Sequence, residues 1–81
     1  RRIERAVRRA ASKGEDRKLT IRVHPEVALY LLEDERGFLG RMKEEAGIQL
    51  DVRDDPLMPM GEYRLLAAPS DQDVTSRYAV A

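Results

Sequence analysis

The chain has 81 residues, no cysteine, and equal numbers of basic and acidic side chains, 15 of each. That length suits one small domain, which buries only about 60% of the surface its unfolded chain exposes. The absence of cysteine excludes a disulfide framework and a thiolate metal site. It fits a reducing, cytoplasmic setting. No apolar run is long enough for a membrane span and no signal-peptide pattern is present, so no membrane partner is expected. The first residue is Arg1 rather than Met, and the chain reads as a piece of a longer protein.

The zero net charge hides an asymmetry. Arg1, Arg2, Arg5, Arg8, Arg9 and Lys13 stand against Glu4 alone in the first fourteen residues, and the rest carries the matching acidic excess. A basic segment beside an acidic body points to contact with nucleic acid or an acidic neighbour. A solvated helix face gives the same pattern. Within this segment Ile3, Ala6, Val7, Ala10 and Ala11 recur at helical spacing, so a helix with one narrow apolar stripe is expected, ended by Gly14.

Leu19, Ile21 and Val23 alternate with Lys18, Thr20 and Arg22, the pattern of a half-buried strand. Pro25 stops it and suits the first turn of a helix. Val27, Ala28, Leu31 and Leu32 make that helix's apolar face; Leu39, Met42 and Ala46 make the next, closed by Gly47. The charged run Glu33–Asp34–Glu35–Arg36 is the turn between them, with Asp34 a candidate N-cap. Ile48, Leu50 and Val52 then alternate with Gln49, Asp51 and Arg53 in a second strand. After a loop from Asp54 to Gly61 containing Pro56 and Pro59, Tyr63 and Leu65 mark a third. Leu31, Leu39, Met42, Leu50 and Val23 are expected to share one core.

The expected architecture is α+β, in the order helix, strand, helix, helix, strand, strand. It forms a three-stranded sheet with helices packed on one face. Two helices between the first two strands are expected to return the second antiparallel to the first. The third strand pairs with the second as a hairpin or lies on the far side of the first. Residues 68–81 are polar and weakly patterned and read as a tail or linker, with a short edge strand near Tyr78–Val80 as the one element suggested there.

No residue set suggests chemistry. His24, the only histidine, has no obvious nucleophile or carboxylate partner in the sequence and reads as structural or solvent-exposed. Asp51, Asp54 and Asp55 are hard-cation ligands by type, but they read as an exposed strand residue and turn residues. Leu57, Met58 and Met60 lie in the proline-containing loop. Exposed, they make a patch suited to a protein partner; buried, they cover the open end of a small core.

Leu19 to Leu32, with its strand running into a Pro-led helix, resembles the start of the small C-terminal domain of RNase E/RNase G-type bacterial endoribonucleases. Gly47, the Ile48–Val52 strand, Asp55–Pro56–Leu57 and Glu62–Tyr63–Arg64–Leu65–Leu66 extend the resemblance over residues 3–67. The resemblance implies a non-catalytic accessory or assembly domain of an enzyme of RNA processing and decay. It also implies that the parent nuclease and its protomers are the partners, and that any RNA contact is weak. An OB-type RNA-binding domain, a 5′-end sensor and Mg²⁺-binding aspartates lie upstream in that family, followed by a cysteine pair that shares Zn²⁺ between protomers. None of those residues is in this chain, and no cofactor is expected in it.

A second resemblance is to the KH domain, an RNA-binding module with a strand–helix–loop–helix–strand core. Ala46 to Val52 looks like its helix end and second strand. KH domains clamp a nucleic-acid backbone with a GXXG loop between the helices. Gly37–Phe38–Leu39–Gly40 spells that motif out of register. Counting back from Gly47 puts the clamp at Glu33, Asp34, Glu35 and Arg36, with three carboxylates and no glycine. Carboxylates there repel phosphate, so the slot is degenerate. The alternative reading, an independent KH-like RNA-binding module, rests on this core.

Overall fold

The computed structural model describes residues 2–79. Eight elements follow in order: α1 (Arg2–Lys13), β1 (Lys18–Val23), α2 (Pro25–Glu33), α3 (Arg36–Ala46), β2 (Gln49–Asp54), β3 (Tyr63–Ala67), β4 (Gln72–Asp73) and α4 (Thr75–Tyr78). The sheet has four strands, not three, in the order β2-β1-β3-β4.

Local chemistry explains the boundaries. Gly14 takes the left-handed conformation at φ +68° after α1, and its N–H donates to the Ala10 carbonyl at 3.0 Å. Pro25 occupies the first turn of α2, where its missing N–H costs nothing. His24 is the N-cap of that helix: its Nδ1 accepts from the Glu26 N–H at 3.1 Å. The histidine is therefore an end-piece of α2. Gly47 closes α3 in the left-handed conformation, with its N–H directed at the Lys43 carbonyl.

The second strand runs parallel to the first, against the antiparallel expectation, with Lys18 opposite Gln49 and Val23 opposite Asp54. The reason lies in the link between α2 and α3. Only Asp34 and Glu35 separate them: Asp34 keeps helical backbone at φ −86°, ψ −29°, and Glu35 leaves it at φ −108°, ψ 16°. α2 and α3 together therefore form the crossover between β1 and β2, and a crossover delivers its strand parallel to the first. Glu35, not Asp34, is the N-cap of α3; Asp34 is the C-cap of α2. β3 lies on the far side of β1, antiparallel to it, with Ile21 opposite Leu65.

One core joins all four helices to one face of the sheet. It holds Ala6, Val7 and Ala10 of α1, Ala28 and Leu31 of α2, and Phe38 and Met42 of α3. Leu19, Ile21 and Val23 of β1 meet them, with Tyr63, Leu65 and Ala67 of β3. The expected core residues Val23, Leu31 and Met42 are buried there. Leu39 and Leu50 are only half-buried at its margin. Phe38, part of the GXXG string, is instead a core residue inside α3.

The segment expected to be a tail is part of the fold. Its strand is Gln72–Asp73, and Tyr78 belongs to α4 rather than to an edge strand; Val80 lies outside the described residues. Val74 and Tyr78 are fully enclosed in the core. The Val74 N–H donates to the Leu65 carbonyl at 2.8 Å, and the Leu65 N–H donates to Thr75 Oγ1 at 2.8 Å. Thr75 in turn donates from its hydroxyl and its N–H to Asp73 Oδ1, at 2.6 and 2.9 Å. Those bonds hold the Asp73 carboxyl below its ordinary pKa. The Tyr78 hydroxyl donates to Asp16, in the turn between α1 and β1, so α4 is tied to that turn.

Candidate docking cleft

The arginines of α1 divide into two kinds. Arg2 donates from Nη1 to the Gly61 carbonyl at 3.1 Å, and its guanidinium lies 5.6 Å from the centre of the Tyr63 ring. Arg8 lies 5.1 Å from the centre of the Phe38 ring. Both positions fit a cation held against an aromatic face. These two residues therefore help close the fold. Arg5 and Arg9 are exposed on the outer side of the helix. Arg1 lies outside the described residues.

The acidic turn is shorter than a clamp loop. Glu33 ends α2, Asp34 and Glu35 link the helices, and Arg36 begins α3. Gly37 and Gly40 lie inside α3, so they supply no flexible loop. Glu35 Oε1 accepts from the Tyr30 hydroxyl at 2.9 Å. The carboxylates suit the positive end of α3 and oppose phosphate there.

The proline-containing loop splits as well. Met58 is buried at 7% exposure, whereas Leu57 is 92% and Met60 53% exposed. Of the three apolar residues expected in a contact patch, Met58 therefore turns inward. Asp55 organises this loop: its Oδ1 accepts from the Leu57 N–H at 3.0 Å, and its Oδ2 lies 3.5 Å from Arg22 Nε. Asp55 is thus a turn-forming residue. Among the described residues no group of three or more His, Asp or Glu side chains could hold a metal ion.

Three sequence candidates that are far apart in the chain meet at one cleft of about 320 Å³. Arg2 of α1, Glu35 of the acidic turn and Met60 of the loop all line it. Val27, Leu31 and Ile3 supply apolar wall, and the Tyr30 and Tyr63 rings complete it. An apolar hollow rimmed by a few charges is the form taken by sites that receive one bulky side chain of a partner. The sequence shows the charged and apolar members of this set but not their meeting.

The open face of the sheet carries a different array. Arg53, Arg22 and Arg64 are register neighbours across β2, β1 and β3. Like charges side by side destabilise a sheet unless they are matched. Here Arg22 faces Asp55, Arg53 lies 3.8 Å from Asp71, and Arg64 lies 3.5 and 3.6 Å from Glu62 and Asp73. The row is therefore balanced within the chain and is not a basic surface.

Comparison with known proteins gives one family match. The family model described as RNase E/G, thioredoxin-like domain matches residues 2–68. No curated protein matches the chain. The mixed sheet, with a parallel β1–β2 pair and antiparallel β3 and β4, accords with the thioredoxin-like description. With no cysteine in the chain, that likeness is one of fold and carries no dithiol chemistry.

Proposed function

This chain belongs to the RNase E/G thioredoxin-like domain family, and on that premise we propose that it serves an RNA-processing endoribonuclease as a non-catalytic accessory domain. In this reading it follows the nuclease domains near the C-terminal end of the catalytic region and acts by packing against them and against other protomers in the cytoplasm. Mg²⁺ and Zn²⁺ belong to those other domains. The observation that supports the docking role is the cleft bordered by exposed Met60, with Leu57 beside it in the same loop. A flexible methionine at the rim of an apolar hollow adapts well to a partner surface.

Two measurements test this reading. The pure chain, incubated with 5′-monophosphorylated single-stranded RNA and Mg²⁺, is expected to leave the RNA intact; specific cleavage that copurifies with the chain would end the accessory reading. In the intact parent protein, Leu57→Glu with Met60→Glu is expected to weaken assembly roughly fivefold or more, since loss of an interface anchor costs about 1 kcal/mol or more. Both side chains are exposed, so folding should be preserved. Unchanged assembly and unchanged RNA turnover would remove the cleft from the interface.

A second reading, direct RNA contact, is favoured by one observation: Arg5 and Arg9 stand exposed on α1. Any RNA affinity is then weak, non-specific and strongly salt-dependent. Arg5→Glu with Arg9→Glu should abolish it, while Asp34→Gly with Glu35→Gly should preserve or raise it. The opposite pattern in low-salt titrations would make the acidic turn a recognition site and restore the KH-like alternative.

A further inference from the structure

We infer that the free edge of β2 pairs with β2 of a second copy of this chain, antiparallel and centred on Val52. This surface is separate from the cleft, and its test uses the 81-residue chain alone, so it does not depend on the accessory reading.

β2 is an outer strand of the sheet: β1 covers one of its edges, and no strand among the described residues pairs with the other. Such an edge is a template for another strand. The direction of its backbone groups follows from the pairing with β1. The Gln49 N–H donates to the Arg17 carbonyl at 2.8 Å, so Gln49, Asp51 and Arg53 bond inward to β1. By alternation, Leu50, Val52 and Asp54 present their N–H and carbonyl groups at the free edge.

Those outward residues limit the registers open to a two-fold pair. The two-fold axis can pass through Val52, which makes Val52 a hydrogen-bonded pair with its own copy. Asp51 of one chain then stands opposite Arg53 of the other, twice, in the closer non-hydrogen-bonded positions. Sliding the axis to Asp51 sets two aspartates face to face, and sliding it to Arg53 sets two arginines face to face. Opposite charges across strands stabilise and like charges destabilise, so the Val52 register is selected. Arg53 exchanges an exposed contact with Asp71 for this one, and exposed pairs hold little energy.

The apolar surface beside the edge agrees with coverage there. Val27, Tyr30 and Leu31 of α2 face the cleft shared with α1. Leu29 and Leu32 lie on the opposite flank of α2, 57% and 51% exposed. In β2 itself Leu50 and Val52 are only half-buried, although they share the sheet's apolar face. A paired copy would cover Leu50 and Val52 while extending the sheet to eight strands.

Sedimentation of the wild-type chain across a concentration series is expected to show a weak, reversible dimer. Asp51→Arg alone and Arg53→Asp alone should each weaken it by roughly fivefold or more, because each leaves like charges opposed. The double variant Asp51→Arg with Arg53→Asp should recover the wild-type association, since the pairs are re-formed with signs exchanged. All these positions are exposed, and far-UV circular dichroism checks that the fold is retained. Amide exchange supplies the second readout: the Leu50, Val52 and Asp54 N–H groups should become protected as concentration rises. A chain that stays monomeric to millimolar concentration overturns the inference. So does a dimer that ignores the single changes, or one that the double change fails to restore.

Discussion

Tyr78→Ala is expected to destabilise the chain by about 3–5 kcal/mol, the cost of deleting a buried aromatic ring. Small domains hold only about 5–15 kcal/mol in all, so the urea midpoint should fall steeply. The ring is among the largest fully buried side chains of the fold. Its hydroxyl reaches Asp16, sixty-two positions earlier in the chain, and Arg77 meets the same carboxylate at 3.3 Å. Tyr78→Phe keeps the ring and loses only the bond, so its cost should be smaller, about 1–3 kcal/mol for a hydrogen bond to a charged group.

The same residue sets a pH dependence. Burial, and then the bond to Asp16, push the Tyr78 phenol up to about 12. A group whose folded pKa is raised contributes fully below its unfolded value, and that contribution is lost as pH climbs through the folded one. For Tyr78 the window runs from about pH 10 to about pH 12. Wild type should lose more stability than Tyr78→Phe across that window. An unchanged midpoint for Tyr78→Ala would restore residues 68–81 to the status of a tail.

Phe38→Ala is expected to cost about 3–5 kcal/mol as well, because the ring is 2% exposed within the core. It also removes the aromatic face beneath Arg8. Gly40→Ala, two positions on, should act in the opposite direction. A Cβ at Gly40 meets no atom within 4 Å, and alanine is favoured over glycine in a helix interior by about 0.5–1 kcal/mol. The pair separates two views of Gly37–Phe38–Leu39–Gly40. A phosphate clamp needs its glycines and leaves the residues between them free; a helix needs Phe38 and gains from replacing Gly40. Thermal melts of both variants decide it, and a stabilised Phe38→Ala would contradict the packing described above.

Local signals were legible wherever one residue type forces one backbone state or a period repeats. The α1 stripe, the alternation in β1 and β2, Pro25 at the head of α2 and the glycine caps all follow from sequence spacing. The resemblance over residues 3–67 pointed to the RNase E/G family, and the family match covers residues 2–68. Phe38 was obscured because its neighbours spell a motif, and a short motif carries no information about the turn of helix in which it sits.

The sequence by itself determined the mixed helix–strand composition, the apolar face of each major element, and the absence of thiol chemistry. Tertiary structure decided the rest. The direction of β2 depends on the short Asp34–Glu35 link, through which α2 and α3 together make one crossover; periodicity along the chain says nothing about the angle between helices. The place of Val74 and Tyr78 depends on a space left beside β3, which two isolated apolar residues in a polar segment cannot announce. The meeting of Arg2, Glu35 and Met60 at one cleft depends on packing among α1, α2 and the loop before β3. Contacts of that kind arise from long-range burial, and burial is a property of the folded chain as a whole.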